Sequence, residues 1–348
     1  MFRNNEIIVL IGAGCSADAG ICPSQNMIGL LEDLLKDNKA WKRYGVLYNY
    51  VKSSLLYVSG IKGDFGRNID IETLVNALSE LEKKENFILY PFIGNWNSRL
   101  LEIAGYGFQI IGEFREDIVE QLKTWVTCKN YGDASYYKKL FDFQGEYNFP
   151  LRIFSLNYDL CLEKNTPSGK TLERGFDPDS RTWQSRRFDP PVEEPNVYLY
   201  KLHGSLDWER EAGMGDIVRE VDRTPQKPDL IFGTDYKLTY VDPYLYYVSE
   251  FRKYSLEAKA ILVVGYGFND AHINSILRQA LNYDSQKKLY VVNKGRKAVA
   301  LELIKKQEQI ITKKYSAKAF LEQHLSVETL EKDIASQRTG DKITRRRK

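Results

Sequence analysis

The sequence predicts an α/β protein: a Rossmann-like, mostly parallel sheet with helices on both faces and a large helical insertion after the first βα unit. Three observations predict it. Short β-branched and aliphatic runs recur along the chain and end on Gly, Ser, His or Asn, the pattern of strands buried on both faces. Stretches with apolar residues at i, i+3, i+4 and i+7 lie between several of them. The first strand–glycine–helix unit is followed by roughly a hundred residues of helical pattern before strand signals return.

In order, Glu6–Ile11 is the first strand, a continuous apolar run that stops at Gly12. Helical pattern follows around Met27–Leu35 and from about Trp41 to Tyr147, with Ile69–Leu78, Phe87–Leu101 and Ile110–Val126 as its clearest pieces. Leu151–Ser155, Val197–Leu202, Leu230–Phe232, Ala260–Val264 and Lys288–Val292 read as strands. Pro243–Leu256, Ala271–Leu281 and Arg296–Lys306 read as the helices between them. Thr166–Glu194 and Glu209–Lys227, rich in polar residues and turn formers, read as long loops. The expected organisation is one domain over residues 1–335, with the insertion at about 41–147, and a basic, flexible tail over 336–348.

Composition excludes several classes. The 348 residues are 43% hydrophobic and 28% charged, which is the mix of a folded chain and not of a disordered one. No apolar run approaches the ~20 residues of a membrane helix, and no signal segment is evident, so a cytoplasmic protein without membrane contact is expected. Cys15, Cys22, Cys128 and Cys161 form no C-x-x-C pair, which argues against a structural zinc site, and no metal is expected. Between Ser336 and Lys348 six basic residues face one acid, a charge of +5; the whole chain's +3 therefore leaves −2 for the body. The body thus offers no basic footprint for nucleic acid. The tail reads either as a solvated terminus or as a contact for phosphates or an acidic partner.

The chemistry concentrates at strand ends. Gly12-x-Gly14 after a strand allows a tight turn and close backbone approach to a ligand, and a following helix would offer free N–H groups to a pyrophosphate, with Ser16 adding a hydroxyl. The same glycines also suit a plain βα turn. Gly12-x-Gly14-x-x-Ala17 fits the dinucleotide fingerprint, but Glu32 and Asp33, at the distance where a dehydrogenase places its ribose-binding acid, sit in a helical pattern. Hydride transfer is therefore disfavoured. Three further strand ends carry Asn157-Tyr158-Asp159, His203-Gly204 and Gly265-Tyr266-Gly267-Phe268-Asn269-Asp270. In an open α/β sheet such ends converge on one crevice. Of the three histidines, His203 has the placement of a general base; His272 and His324 read as local helix structure. Asp270 reads as a helix cap or a ligand contact, and Asp159 as a cap or a site residue.

On these residues the chain resembles the sirtuin superfamily. Gly12-Ala13-Gly14-Cys15-Ser16-Ala17-Asp18-Ala19-Gly20-Ile21-Cys22-Pro23-Ser24 is similar to its first nucleotide loop, Asn157-Tyr158-Asp159 to its Asn-Ile-Asp motif, and His203-Gly204 to its catalytic His-Gly. Gly265–Asp270 resembles the late glycine turn of the bacterial sirtuin-like branch. The resemblance spans about residues 6–325. Two departures stand out: no cysteine follows Cys161, where deacylase sirtuins carry four zinc ligands, and Leu156 replaces the glutamine that precedes the Asn. The helical insertion is similar to that of sirtuin-domain effectors of bacterial anti-phage systems. The resemblance implies NAD+ as substrate and no zinc. Asn157, His203 and Asp159 would be the catalytic residues. Gly12, Ala13, Gly14, Ser16, Gly204, Gly265, Gly267, Asp270 and Asn293 would bind the dinucleotide. It further implies an NAD+ glycohydrolase used in abortive infection, a homo-oligomer, and a partner such as a HerA-type ATPase. A protein deacylase and a non-catalytic NAD+ or ADP-ribose sensor are the alternatives.

Overall fold

The computed structural model describes residues 2–63, 69–83, 98–105, 107–189, 194–211, 217–232, 241–295 and 307–345. The chain divides into two compact units, one of residues 1–21, 127–230 and 239–348, the other of residues 22–126 and 231–238.

The first unit is built on a seven-stranded sheet of β1 (Ile7–Ile11), β2 (Leu151–Ser155), β3 (Leu172–Glu173), β4 (Val197–Lys201), β7 (Ala260–Val264), β8 (Lys288–Val292) and β9 (Ile310–Lys313). The order is β3-β4-β2-β1-β7-β8-β9 and every pairing is parallel. β1, β2, β4, β7 and β8 are buried along their whole length, including Arg152, Lys201 and Lys288; β1 and β7 are the aliphatic runs without alternation that such burial suits. Ile7, Val9, Ile11, Ile153 and Leu199 belong to a core shared with Tyr137, Phe141, Phe143 and Phe320. On the other face Phe154 stacks on Tyr200 at 4.6 Å and packs at 5.0 Å against Phe251 of the Tyr244–Glu257 helix. Arg152, nearly buried there, lies 4.4 Å from the Tyr198 ring and 4.0 Å from that of Tyr254.

Register places the site. Ile11 pairs with Ser155 and with Val264, Ser155 with Lys201, and Val264 with Val292. The last residues of five strands therefore stand in one row, and Gly12, Leu156, Leu202, Gly265 and Asn293 leave the sheet at the same level. β1 is central, with the chain turning to one side for β2, β4 and β3 and to the other for β7, β8 and β9. That reversal is the arrangement that opens a ligand crevice in a doubly wound sheet.

The second unit is helical: Ser24–Asp37, Gly45–Ile61, Ile71–Lys83, Ser98–Ala104 and Gln109–Val126. Leu74 and Leu78 of one helix and Ile111, Phe114 and Ile118 of another are buried in its core. Tyr44 stacks on Phe114 at 4.6 Å and is fully buried, and Tyr48 is nearly so, whereas Tyr57 is 71% exposed.

Several expectations need correction. The second compact unit takes in residues 22–126 and 231–238, whereas the expected helical insertion covers about 41–147. The Tyr131–Lys138 3-10 segment and the Lys139–Tyr147 helix, which read as its end, put Tyr136, Tyr137, Phe141 and Phe143 into the sheet's core. Leu230–Phe232 is not a strand; Leu230 makes a single antiparallel bridge to Gly204. Part of the long loop Glu209–Lys227 is a hairpin, β5 (Trp208–Arg210) against β6 (Val218–Glu220), and Thr166–Glu194 contributes β3 and the nearly buried Phe176 and Phe188. β9 was not foreseen: its Ile310-Ile311 pair is too short to stand out from sequence. One helix runs from Val327 to Arg345, through the boundary expected at 336. The expected Arg296–Lys306 helix lies outside the described residues, as does most of Phe87–Leu101.

Candidate active site

Ser16 is the hub of the site. It is fully buried, and its hydroxyl lies 2.7 Å from Asp159 Oδ2, 2.7 Å from the Tyr137 hydroxyl and 3.0 Å from Asn157 Nδ2. A serine hydroxyl has one proton and two acceptor positions. The Asp159 carboxylate can only accept, so Ser16 donates to it and accepts from Tyr137 and from the Asn157 amide. This fixes the orientation of that amide: one N–H of its NH2 donates to Ser16, and its Oδ1, buried, has no partner among the described residues. An unpaired buried acceptor is costly and points to a donor supplied from elsewhere. The Asn157 backbone is held as well, its N–H donating to Ser155 Oγ at 3.1 Å.

The three hydrogen bonds of the Ser16 hydroxyl are all to protein groups: Asp159, Tyr137 and Asn157. Asp159 divides its carboxylate between Ser16 and the Cys161 amide, 3.0 Å away, which opens the short Cys161–Lys164 helix. It is linked to Asn157 through the Ser16 hydroxyl.

The glycine loop is also tighter than expected. Residues 13–15 and 17–19 are 3-10 turns, and the first α-helix starts only at Ser24, so no helix N-terminus follows the glycines directly. Four of the loop's amides donate to backbone carbonyls: Gly12 to Val264 O and Gly14 to Gly265 O at the end of β7, and Cys15 to Gly12 O and Ser16 to Ala13 O within the loop. The glycines serve backbone-to-backbone packing. A Cβ on Gly12 would stand 2.7 Å from Tyr266 Cα, and one on Gly14 would stand 2.8 Å from Gly265 O. Gly265 itself has φ +67°, and a Cβ there would meet Cys15 N at 2.1 Å. Ala13 is the exposed residue of the loop. Asn293, leaving β8, donates from Nδ2 to Tyr266 O at 3.1 Å and so ties the late glycine turn to the sheet. Gly267 is exposed at that turn.

His203 leaves β4 ahead of Gly204, which has φ +87° and where a Cβ would stand 2.1 Å from Asp229 O, so no side chain fits there. Its ring centre lies 6.4 Å from that of Tyr158, the neighbour of Asn157, and its Nε2 is 3.2 Å from Asp270 Oδ2. The other Asp270 oxygen caps the Ala271–Tyr283 helix, accepting from the His272 and Ile273 amides at 2.9 and 3.3 Å. His272 is exposed.

Four supporting residues escaped the sequence reading. Tyr136 and Tyr137 clamp the glycine loop, the first donating to Cys15 O at 2.6 Å, the second meeting Ser16. Burial pushes the Tyr137 hydroxyl well above its ordinary range, so it stays a neutral donor. Lys201, 1% exposed, donates to Asp159 O and to Glu163 Oε1 at 3.2 Å. Arg174 is held by both oxygens of Asp207 at 2.9 and 3.0 Å and also pairs with Glu220. The two tyrosines sat in a segment assigned to the helical insertion; the only signal for Lys201 was its place beside Leu202-His203. Burial also pushes the Cys15 thiol far up, so that it stays protonated in the loop.

A recess lined by Ile11, Tyr137, Ser155, Asn157, Asp159, Glu163 and Lys201, among others, has a cavity volume of about 10 Å³. That volume suits water and not a dinucleotide. Among the described residues no group of His, Cys, Asp and Glu is placed to hold a metal ion, and no helix is long and apolar enough to cross a membrane.

Residues 151–320 match the model of the SIR2-like domain. No curated protein matches the chain. Among solved structures, a Sir2 homologue mutant in complex with 2′-O-acetyl ADP ribose is 13% identical, covering 96% of this chain and 92% of its own, with a TM-score of 0.45. A Sir2 homologue–NAD complex is 12% identical, covering 96% and 90%, with a TM-score of 0.41. A Sir2 protein bound to a propionylated peptide is 11% identical, covering 91% and 90%, with a TM-score of 0.38.

Proposed function

We propose that this protein is an NAD+ glycohydrolase: it cleaves the nicotinamide–ribose bond with water and releases nicotinamide and ADP-ribose. The observation that carries the reading is the uncommitted, buried Oδ1 of Asn157 at the end of β2, with His203 at the end of the neighbouring β4. The SIR2-like match over 151–320, which contains both residues, supports it.

The chemistry suits these groups. Nicotinamide leaves as a neutral molecule, so no strong acid is needed; the site must stabilise an oxocarbenium-like ribose and deliver a nucleophile. Asn157 Oδ1 accepts a hydrogen bond from a ribose hydroxyl or from the attacking water. His203 takes the proton, through a ribose hydroxyl or from that water. Ala13 and the Gly265–Gly267 turn flank the dinucleotide, with Gly204 and Asn293 holding the backbone at either side. The SIR2-like match also fits a deacylase; the absence of any cysteine after Cys161 favours hydrolysis by withholding a zinc-bound peptide module.

By the same resemblance the enzyme acts in anti-phage abortive infection as a homo-oligomer with a HerA-type ATPase or another defence partner. Unrestrained NAD+ hydrolysis would exhaust its own cell, which calls for control by assembly. Light scattering at micromolar concentration checks this, and a monomer as active alone as with a partner contradicts it.

The test is incubation of the purified protein with NAD+, with and without an acyl peptide. Free ADP-ribose without peptide supports the reading. Turnover only with peptide, or one zinc per chain in a metal assay, turns it to a deacylase; binding without turnover turns it to a sensor. Asn157→Ala and His203→Ala are each expected to lower NAD+ consumption about 10²–10⁴-fold with the fold intact. Wild-type turnover in either folded variant overturns the mechanism.

A further inference from the structure

We propose that Asp270 is a positioning residue for His203, holding its imidazole in the Nε2–H form so that Nδ1 is the nitrogen offered to substrate or water. The kinetic half of this inference rests on the function proposed above; the structural half does not.

The geometry carries it. His203 Nε2 and Asp270 Oδ2 are 3.2 Å apart, with side chains only 12% and 6% exposed. A carboxylate is an acceptor alone, so the nitrogen facing it carries the proton, and in the neutral ring the lone pair then lies on Nδ1. β4 and β7 are not neighbours: β2 and β1 lie between them. At the usual strand spacing the two strands are about 14 Å apart. The His203–Asp270 contact therefore reaches across the carboxyl ends of β2 and β1, where Asn157 and the glycine loop emerge.

Asp270 is a firm anchor. Its Oδ1 caps the Ala271–Tyr283 helix, its N–H donates to the Tyr266 hydroxyl at 3.2 Å, that hydroxyl donates to Asn274 Oδ1 at 2.9 Å, and Asn274 Nδ2 donates to Phe268 O at 2.7 Å. The cap also makes a discriminating variant available. Asn is as good an N-cap as Asp. In Asp270→Asn the two capping amides require the side-chain oxygen, which turns the NH2 towards His203. An NH2 donates, so Nε2 must then present its lone pair, and the proton moves to Nδ1.

The experiment is a long-range ¹H–¹⁵N correlation of the imidazoles, with His203 assigned by its loss in His203→Ala, on wild type and D270N, together with steady-state kinetics on NAD+. The expected result is Nε2–H in wild type and Nδ1–H in D270N. The variant should keep its melting temperature and KM while kcat falls at least about 10-fold, within the 10²–10⁴-fold that a general base supplies. An Nδ1–H signal in wild type, an unchanged tautomer in D270N, or an unchanged kcat in D270N overturns the proposal. If wild type does not consume NAD+, the functional reading fails separately, and the imidazole spectra alone decide whether Asp270 sets the tautomer.

Discussion

Ser16→Ala separates two accounts of the glycine loop. If the hydroxyl served a pyrophosphate, its loss would weaken substrate binding and leave the protein as stable as before. The structure gives it three buried partners at 2.7, 2.7 and 3.0 Å. Removing it strands the Tyr137 hydroxyl and one Asn157 N–H and takes a donor from Asp159 Oδ2, whose other oxygen keeps the Cys161 amide. A neutral hydrogen bond contributes about 0.5–1.5 kcal/mol net and one to a charged group about 1.5–3, so the three together give roughly 2–5 kcal/mol, allowing for relaxation. Asn157 also loses the partner that aims its Oδ1, so kcat should fall together with stability. Urea denaturation followed by intrinsic tryptophan fluorescence, to which Trp208, fully buried in the sheet unit, contributes, measures the first, and single-turnover NAD+ cleavage the second. A variant that loses less than about 1 kcal/mol and shows only a raised KM would refute the hub and restore the pyrophosphate role.

Two predictions concern the scaffold. Arg174→Met leaves Asp207, Glu163 and Glu220 without their shared cation. Burial pushes the Asp207 carboxyl up, and Arg174, with Ser205 and Lys201 adding to it, offsets this and holds it below the usual range. The variant is expected to lose about 3–5 kcal/mol in urea titration, with part recovered on adding Asp207→Asn; a loss under about 1 kcal/mol would contradict it. The Lys287 amine donates to Leu256 O and Ala258 O, and burial, only partly countered by Asp284, pulls its pKa from 10.5 down to about 8. Between those values the unfolded chain holds a proton that the folded chain has released, so this group's contribution to stability rises with pH from about 8 to 10.5. Stability curves of wild type and Lys287→Met should differ by that slope, and parallel curves would refute the assignment.

The strands of the sheet and the residues that cap them were legible in sequence because the information is local. A run such as Ile7–Ile11 or Ala260–Val264, apolar without alternation and closed by glycine, has few ways to be buried except inside a parallel sheet. Asn157, His203 and Asp270 stood out because they follow such runs. What these residues touch was not legible. Leu230–Phe232 has a strand's composition but takes one bridge, while Ile310–Lys313 has a weaker pattern and completes the sheet. The 131–147 segment carries a helical period that cannot say which unit it covers.

The sequence by itself determined the class of fold, the four polar strand ends and the candidates for chemistry, since each depends on residues within a few positions of one another. Only the tertiary structure decided their partners. Ser16 meets Tyr137, Asn157 and Asp159 across 121, 141 and 143 residues, and His203 meets Asp270 from a strand three places away in the sheet. Those meetings follow from strand order and register, which place β1 between β2 and β7 and align five carboxyl ends in one row. Strand order is set by how the whole chain packs both faces of the sheet, and no local pattern of residues encodes it.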